Sequence, residues 1–375
     1  MRLGRGKSHA TYSAMTTSST LQDFATSDLS EIHTYAPAAA AEAPFPRNSI
    51  SQTEERSVAG RKLQLLKRSG LFGQDLKGAT IERACSLEDL RNAYRLVHDV
   101  YVEAGFIHPE PSGMRVRIFE TTTETATFVA KYEERVVGVL SVVTDSEDLG
   151  LPSDCAFEPE LDALRATGAR LGEVTNQAVA TDFRKSAVPT ELMRCAIALS
   201  LETGLDETVA AVSPTHNGFY DLLGFRQIGS HRSYSQKLYD PVVALSMEIA
   251  PYREPQRRLS AIAQFMYDFL AEENQFLSRV AEWANESRRH FLNPELLQEL
   301  FVRERNFLAE CSPAELEILH TRWGGEIFEA VTRNSSIDQS DFTFETEKLS
   351  EFSENRACQK RSEGDLLCPI LSGTQ

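Results

Sequence analysis

The chain has 375 residues, 41% hydrophobic and 25% charged, enough for one large domain or two ordinary ones with tails. A formal net charge of −16 disfavours non-specific attraction to nucleic acid, so an anionic partner must be met by a local basic patch. No apolar run reaches the roughly eighteen residues a membrane span needs, and MRLGRGK leads into TYSAMTTSST rather than an apolar signal core, which predicts a cytoplasmic protein without a membrane span.

Residues 1–55 are rich in Ser, Thr, Ala and Pro, including APAAAAEAPFP, and lack sustained periodicity, the pattern of a disordered tail; their acid-poor opening also fits a transit peptide. Residues 56–78 read as a short basic amphipathic lead-in helix that packs on the next domain or docks an acidic partner. The ordered core begins near Ala79 with the strand ATIERA. Ser86 then opens a helix with Asp89 at the capping-box position and Leu90, Tyr94, Val97, Tyr101 and Ala104 along one stripe. That helix ends at Gly105. IHPEPSGMRVRIFETTTETA is a Pro/Gly-punctuated loop, long enough for a substrate lid. TFVAKYE and RVVGVLSVVTD, joined at Glu133 and Glu134, read as an antiparallel hairpin, and a short helix is predicted from Glu158 to Ala166.

The stretch Gly172 to Gly204 reads as strand, sharp turn and helix. Glu173, Thr175 and Gln177 alternate with Val174, Asn176 and Ala178, so a period of two places those polar side chains on one face. Buried polar groups must be bonded internally or await a substrate, since each costs roughly 1 to 3 kcal/mol unpaired. Ser186 is the expected N-cap of the next helix, Pro189 fits its first turn, and this N-terminus beside Arg184 and Lys185 is set up to hold an anion. DETVAAVSP is a further strand, PTHNGFYDLLGF a short helix ending at Gly224, and FRQIG, SHRSYSQKLY and VVALSMEI are closing strands. The expected fold over 79–250 is therefore α/β, a mixed sheet with helices on both faces. Residues 255–332 read as a separate all-helical extension whose Phe265, Met266, Phe269, Trp283 and Trp323 form bundle core, with a disordered tail over 333–375. The extension could serve as a homo-oligomer arm, a carrier dock or a partner module. Cys85, Cys155, Cys195, Cys311, Cys358 and Cys368 form no CxxC pair and no ligand-spaced cluster with histidine, so reduced thiols and no metal site are expected.

RLVHDVYVEAGFIHP, GEVTNQAVATDFR and PTHNGFYDLLGF, with the order of elements, resemble the N-acyl amino acid synthases of the FeeM type. These belong to the GCN5-related acetyltransferase (GNAT)-like fold, close to the acyl-homoserine-lactone autoinducer synthases. The resemblance covers roughly Ala79 to Ile249. Val97-His98-Asp99-Val100-Tyr101 keeps the second half of a family run, Glu173, Thr175, Ala178 and Val179 match its central strand, and Pro214, His216, Phe219, Tyr220, Gly224 and Phe225 match a third motif. RKSAVPT departs from coenzyme A-using relatives in having no glycine, so a pyrophosphate meets Cβ atoms there. What the resemblance implies is a bacterial N-acyltransferase with no tightly bound cofactor. It would move a long-chain acyl group from acyl carrier protein, or from coenzyme A, to the α-amine of an amino acid.

Under that implication Glu173 is the general base, against an even alternative of a structural carboxylate paired with Arg91 or Arg95. Backbone near Ala178 and Val179 would meet the oxyanion, with Thr175 and Gln177 lining the substrate. Tyr220 would give a proton to the departing thiolate or be a core aromatic, and His216 would join a relay or cap its helix. His98 reads as a satisfied structural histidine. Arg115 and Arg117 are candidates for the acceptor carboxylate, with a solvated loop as the default. Arg184, Lys185 and Arg194, with Ser186, are candidates for an acidic carrier and its phosphopantetheine. Two other functions fit the same residues: an autoinducer-type or other small-amine acyltransferase, and a non-catalytic acyl-binding scaffold.

Overall fold

The computed structural model describes residues 75–234, 241–253, 261–283 and 293–333, with isolated positions between 61 and 73. The tails expected over 1–55 and beyond 333 lie outside the described residues, as do Cys358 and Cys368. Of the lead-in helix, residues 61, 63, 64, 67 and 68 are described and helical.

Strands β1 (Thr80–Arg83), β2 (Thr125–Tyr132), β3 (Arg135–Thr144), β4 (Leu171–Val179), β5 (Glu207–Val212), β6 (Arg226–Gln227) and β8 (Pro241–Glu248) lie in the order β1-β2-β3-β4-β5-β8-β6, with β7 (Arg232–Ser233) paired to β8. Among the described pairs β4 with β5 is parallel and the rest are antiparallel. β2 and β3 form the expected hairpin, turning at Glu133 with φ 53°. Both strands are buried along nearly their whole length, because helices cover both faces of the sheet.

Helix α1 (Leu87–Glu103) starts at Ser86, whose Oγ accepts the Asp89 N–H at 3.0 Å. Leu90, Ala93, Tyr94 and Val97 are buried, whereas Tyr101 is half-buried and Ala104 exposed, so the stripe runs out before its expected end. His98 is satisfied structurally. Its Nε2 accepts the Glu110 N–H at 3.0 Å, which leaves Nδ1 to donate to Asp99 at 3.0 Å. Helix α2 (Asp154–Arg165) begins before the expected Glu158, with a non-helical turn at Phe157 that accommodates Pro159. Helix α3 (Val188–Glu202) is buried on nearly every side. It approaches β3 closely at Gly138, where a Cβ would stand 2.6 Å from Val188 Cγ1. Helix α4 (Asn217–Leu223) stops at Gly224, φ 100°.

The region expected as a separate helical unit instead completes both sides of the sheet. Helix α3 is buried on nearly every side, its Glu191 and Arg194 included, so further elements must cover the faces that the sheet does not. Helix α5 (Ala261–Tyr267), its π-helical continuation Asp268–Glu272, the turn at Phe276 and the helical residues 277–283 place Met266, Phe269, Leu270, Phe276 and Val280 in one cluster with Leu192, Met193, Ala196, Phe128 and Leu140. Trp283 packs on it too, its ring 5.7 Å from Phe128. Helix α6 (Pro294–Gln298) with its π-helical continuation Glu299–Glu304, helix α7 (Pro313–Trp323) and helix α8 (Gly325–Thr332) build the other side. There Leu297, Leu300, Phe301, Leu319, Trp323 and Phe328 share a cluster with Leu90, Tyr94 and Val97 of α1. The aromatic residues are core, as expected, but of a core shared with the sheet.

Candidate active site

The polar residues of β4 are arranged by two breaks in regularity. The first is at Asn176, whose φ of 55° is left-handed, a region Asn tolerates better than most residues. There the ladder to β3 slips by one: Thr175 faces Ser141, while Ala178 faces Val139. A bulge of this kind changes the face of every side chain beyond it. Glu173 and Thr175 lie on the side of Val143 and Ser141, and Asn176 turns in beside them, its Nδ2 donating to Ser141 Oγ at 3.4 Å. Gln177 goes to the opposite side, where its Oε1 accepts from the Tyr220 hydroxyl at 2.7 Å. The expected single row of Glu173, Thr175 and Gln177 is therefore broken, and Asn176 takes the place of Gln177.

The second break is between β4 and β5. They pair only from Leu171–Glu207 to Glu173–Val209, although the strands continue to Val179 and Val212. Glu173 is the last residue before the strands part. Beyond it, where β4 and β5 splay apart, lie Ala178 and Val179, and the Tyr220–Gln177 hydrogen bond reaches β4 from α4.

The segment read as a lid or solvated loop is packed instead. Met114, Val116 and Ile118 are buried, and strand-like alternation turns Arg115 and Arg117 the other way, towards β4. Arg115 Nη1 donates to Asn176 Oδ1 at 2.7 Å, with its guanidinium 5.1 Å from the centre of the Tyr101 ring. A 3-10 turn, Ile118–Thr121, brings Glu120 back so that Oε1 accepts from Arg117 Nη2 at 2.6 Å and Oε2 from the Arg117 N–H at 2.6 Å. Asn176 Nδ2 also donates to Glu120, at 2.8 Å. Arg117 Nη2 reaches Thr175 Oγ1 at 3.3 Å and Asn176 Oδ1 at 3.4 Å, while its Nη1 is buried with no hydrogen-bond partner.

Two carboxylates, each 1% exposed, are thus pushed in opposite directions. Burial alone would raise Glu120, but the Arg117 charge and hydrogen bonds outweigh it and hold the carboxyl below its ordinary range. Glu173 has far less support. Burial pushes it up to about 7, against the pull of its hydrogen bonding to Ser153 and the Arg117 charge. The Ser153 N–H, at the start of α2, donates to Glu173 Oε2 at 2.8 Å. Arg91 and Arg95, the alternative partners read from the sequence, pair with Glu304 instead. Divergent shifts in neighbouring acids separate an acid–base group from a structural one.

The donor side differs more from expectation. Tyr220 is buried between Phe219 and Phe225, and burial pushes its phenol up, so it stays protonated. His216 makes no capping bond; burial, then nearby Arg184, hold its pKa below the ordinary value. Ala187, not Ser186, is the N-cap of α3, and the Ser186 hydroxyl donates to Phe183 O at 2.7 Å while accepting the Val188 N–H at 3.2 Å. The Ala187 N–H donates to Asp75 O at 3.0 Å and Pro189 has none, so the expected anion cradle is largely taken up. Arg194 is buried, paired with Glu191 at 2.7 Å, bonded to Glu273 O and 4.7 Å from the centre of the Phe269 ring, which removes it from any partner surface. Lys185 is exposed, and Arg184 is half-buried with Glu103 at 2.9 Å. Glu120, Asn176 and Ser153 were not singled out from the sequence. An Asn within a strand is a bulge signal that could have found one of them. Among the described residues no cluster of His, Cys, Asp or Glu is arranged to hold a metal ion, and no helix is long and apolar enough to cross a membrane.

Residues 92–271 match the family model of FeeM, N-acyl amino acid synthase. The solved structure of FeeM, an N-acyl amino acid synthase from uncultured soil microbes, is similar at 26% identity over 50% of this chain and 96% of FeeM, with a TM-score of 0.43. The CoA-dependent acyl-homoserine lactone synthase BjaI, solved with SAM and isopentyl-CoA, aligns at 19% identity over 56% of this chain and 100% of its own, TM-score 0.36. The acyl-homoserine lactone synthase LasI aligns at 14% identity over 48% and 98%, TM-score 0.36. No curated protein sequence matches.

Proposed function

Taking residues 92–271 as an N-acyltransferase domain of the FeeM kind, we propose that this protein transfers a long-chain acyl group from acyl carrier protein to the α-amine of an amino acid. The observation that carries the reading is Glu173: a buried carboxyl pushed up to about 7 at the vertex of the β4–β5 splay. A base with that pKa is well matched to neutral pH. In the reaction the acceptor ammonium gives a proton to Glu173, and the free amine attacks the thioester carbonyl. Backbone N–H groups near Ala178 and Val179 meet the oxyanion. Collapse forms the amide and breaks the C–S bond, and the second proton, which the attacking nitrogen must lose, passes through water or Tyr220 to the departing thiolate.

The acceptor's carboxylate is met by Arg117, whose buried Nη1 has a donor to spare, with Thr175 and Arg115 beside it. The acidic carrier approaches the exposed basic rim of Lys185, Lys77 and Arg135, with Arg184 behind it. Lys77 Nζ donates to Asp182 O at 2.7 Å and Arg135 pairs with Asp182 at 2.5 Å, so this rim is continuous around Phe183. The test is incubation of the protein with acyl carrier protein thioesters of several chain lengths and the common amino acids, read by mass spectrometry. N-acyl amino acids that vanish with Glu173→Gln support the reading. No product from any donor, with the fold intact, would overturn it in favour of an acyl-binding scaffold.

A further inference from the structure

Helices α6 to α8 lie beyond the matched residues, yet they reach the segment that carries Arg115 and Arg117 at several points. Met114, Val116 and Ile118 are held in the cluster that contains Leu297, Phe301, Leu319, Trp323 and Phe328. Arg115 and Arg117 are the alternate residues of that stretch, so fixing its apolar side fixes the direction of the guanidinium side. The Trp323 indole N–H donates to the Thr121 carbonyl at 2.8 Å, a buried bond joining positions 202 residues apart. Thr121 closes the 3-10 turn containing Glu120, and Glu120 in turn holds the Arg117 guanidinium and the Asn176 amide. Arg322 grips both sides of the β2–β3 hairpin base: it pairs with Glu124 and Asp148 and donates to Ser146 Oγ at 2.9 Å. Arg305 pairs with Glu110 at 3.6 Å, at the start of the same segment.

We propose that the C-terminal helices are a clamp that sets the acceptor site, with Trp323 and Arg322 as positioning residues acting on Arg117 through Thr121, Glu120 and Glu124. Neither touches the reacting groups. The clamp explains why the helices share the core of α1. A segment of this length without strand or long helix would otherwise be free to move, and a guanidinium displaced by an ångström loses a carboxylate that needs defined geometry. The acceptor half of this inference rests on the acyl-transfer reading above; the mechanical half does not.

Trp323→Phe keeps an aromatic ring, smaller than indole, and deletes the donor, while Arg322→Gln, which leaves the Trp323 packing in place, cuts the second anchor. Two readouts are taken on each purified full-length variant: amide hydrogen exchange over residues 114–124, and steady-state kinetics with acceptor and acyl-thioester varied separately. The expected result is faster exchange confined to 114–124 and an acceptor KM raised about tenfold, with donor KM and kcat nearly unchanged. A general loss of stability would lower the active fraction without splitting the two KM values. Unchanged exchange in both variants overturns the clamp. Faster exchange with an unchanged acceptor KM overturns its role at the site. If the parent protein makes no product with any donor, the acyl-transfer reading fails, and the exchange measurement still decides the clamp.

Discussion

Arginines in two regions of this chain exchange the roles their sequence context suggests. Arg115 and Arg117 sit in a Pro/Gly-punctuated stretch that reads as solvated loop, and they prove to be wedged against β4 beside two buried carboxylates. Arg194 sits inside a helix start that reads as an anion site, and it is buried in an internal ion pair with Glu191. The lesson is that charge in a sequence marks where desolvation must be compensated, not where a partner binds. Buried guanidinium groups persist only where carboxylates and carbonyls surround them: Arg117 and Arg194 each pair with a carboxylate three positions away, Glu120 or Glu191, and their surroundings are completed by Asn176 and Glu273, 61 and 79 positions from Arg115 and Arg194.

That contrast can be broken by mutation. Glu173→Gln should have the largest effect, lowering turnover by about 10²- to 10⁴-fold, as expected for loss of a general base. The parent's rate should rise with pH through about 7 as Glu173 ionises, and the variant should lose this limb. Stability should move the opposite way. Glu173's carboxyl is raised in the folded state from an ordinary 4.5 to about 7, so its contribution is complete below 4.5 and is lost as pH climbs through 7. The interval corresponds to about 3 kcal/mol, so Glu173→Gln should melt higher than the parent at pH 8 and about equally at pH 4. A variant that melts lower at both pH values would sink this account of the site.

Arg194→Met comes next. It strands Glu191 in the core, and breaking a buried pair typically costs about 3 to 5 kcal/mol, which denaturant unfolding would register. If stability is kept while the response to carrier protein falls, Arg194 belongs to the donor surface after all. Arg117→Lys tests the other group: a lysine supplies charge but no fork, and acceptor KM should rise by about 10- to 100-fold with donor KM unchanged. Lys185→Glu should have the smallest effect, a rise of about fivefold in KM for the carrier-borne thioester that shrinks as salt is added. A salt-independent change would point to packing rather than steering.

Much of the fold was legible in the residues. Ser86, Gly224 and the Glu133-Glu134 turn mark ends that local chemistry sets, and the alternation of TFVAKYE and RVVGVLSVVTD gives the hairpin. Ser312 and Glu315 form a capping box, the Glu315 N–H donating to Ser312 Oγ at 3.3 Å, another end set within four residues. The site was legible in part: Glu173 was found as a buried acid in a polar strand, but Glu120 was not, since a carboxylate in an aperiodic segment leaves no pattern to read. Gln177 was placed on the wrong face because a period of two holds only while the ladder is unbroken, and Asn176 breaks it.

The amino-acid sequence was sufficient for elements, caps and the α/β class, because each depends on residues within a few positions of one another. Three-dimensional packing settled which charges are buried, on which face the β4 side chains emerge beyond Asn176, and where the last helices go. Each of those outcomes is a balance of desolvation against partners brought from far along the chain. That balance exists only once Trp323 has met Thr121, Arg115 has met Asn176 and Arg194 has met Glu273.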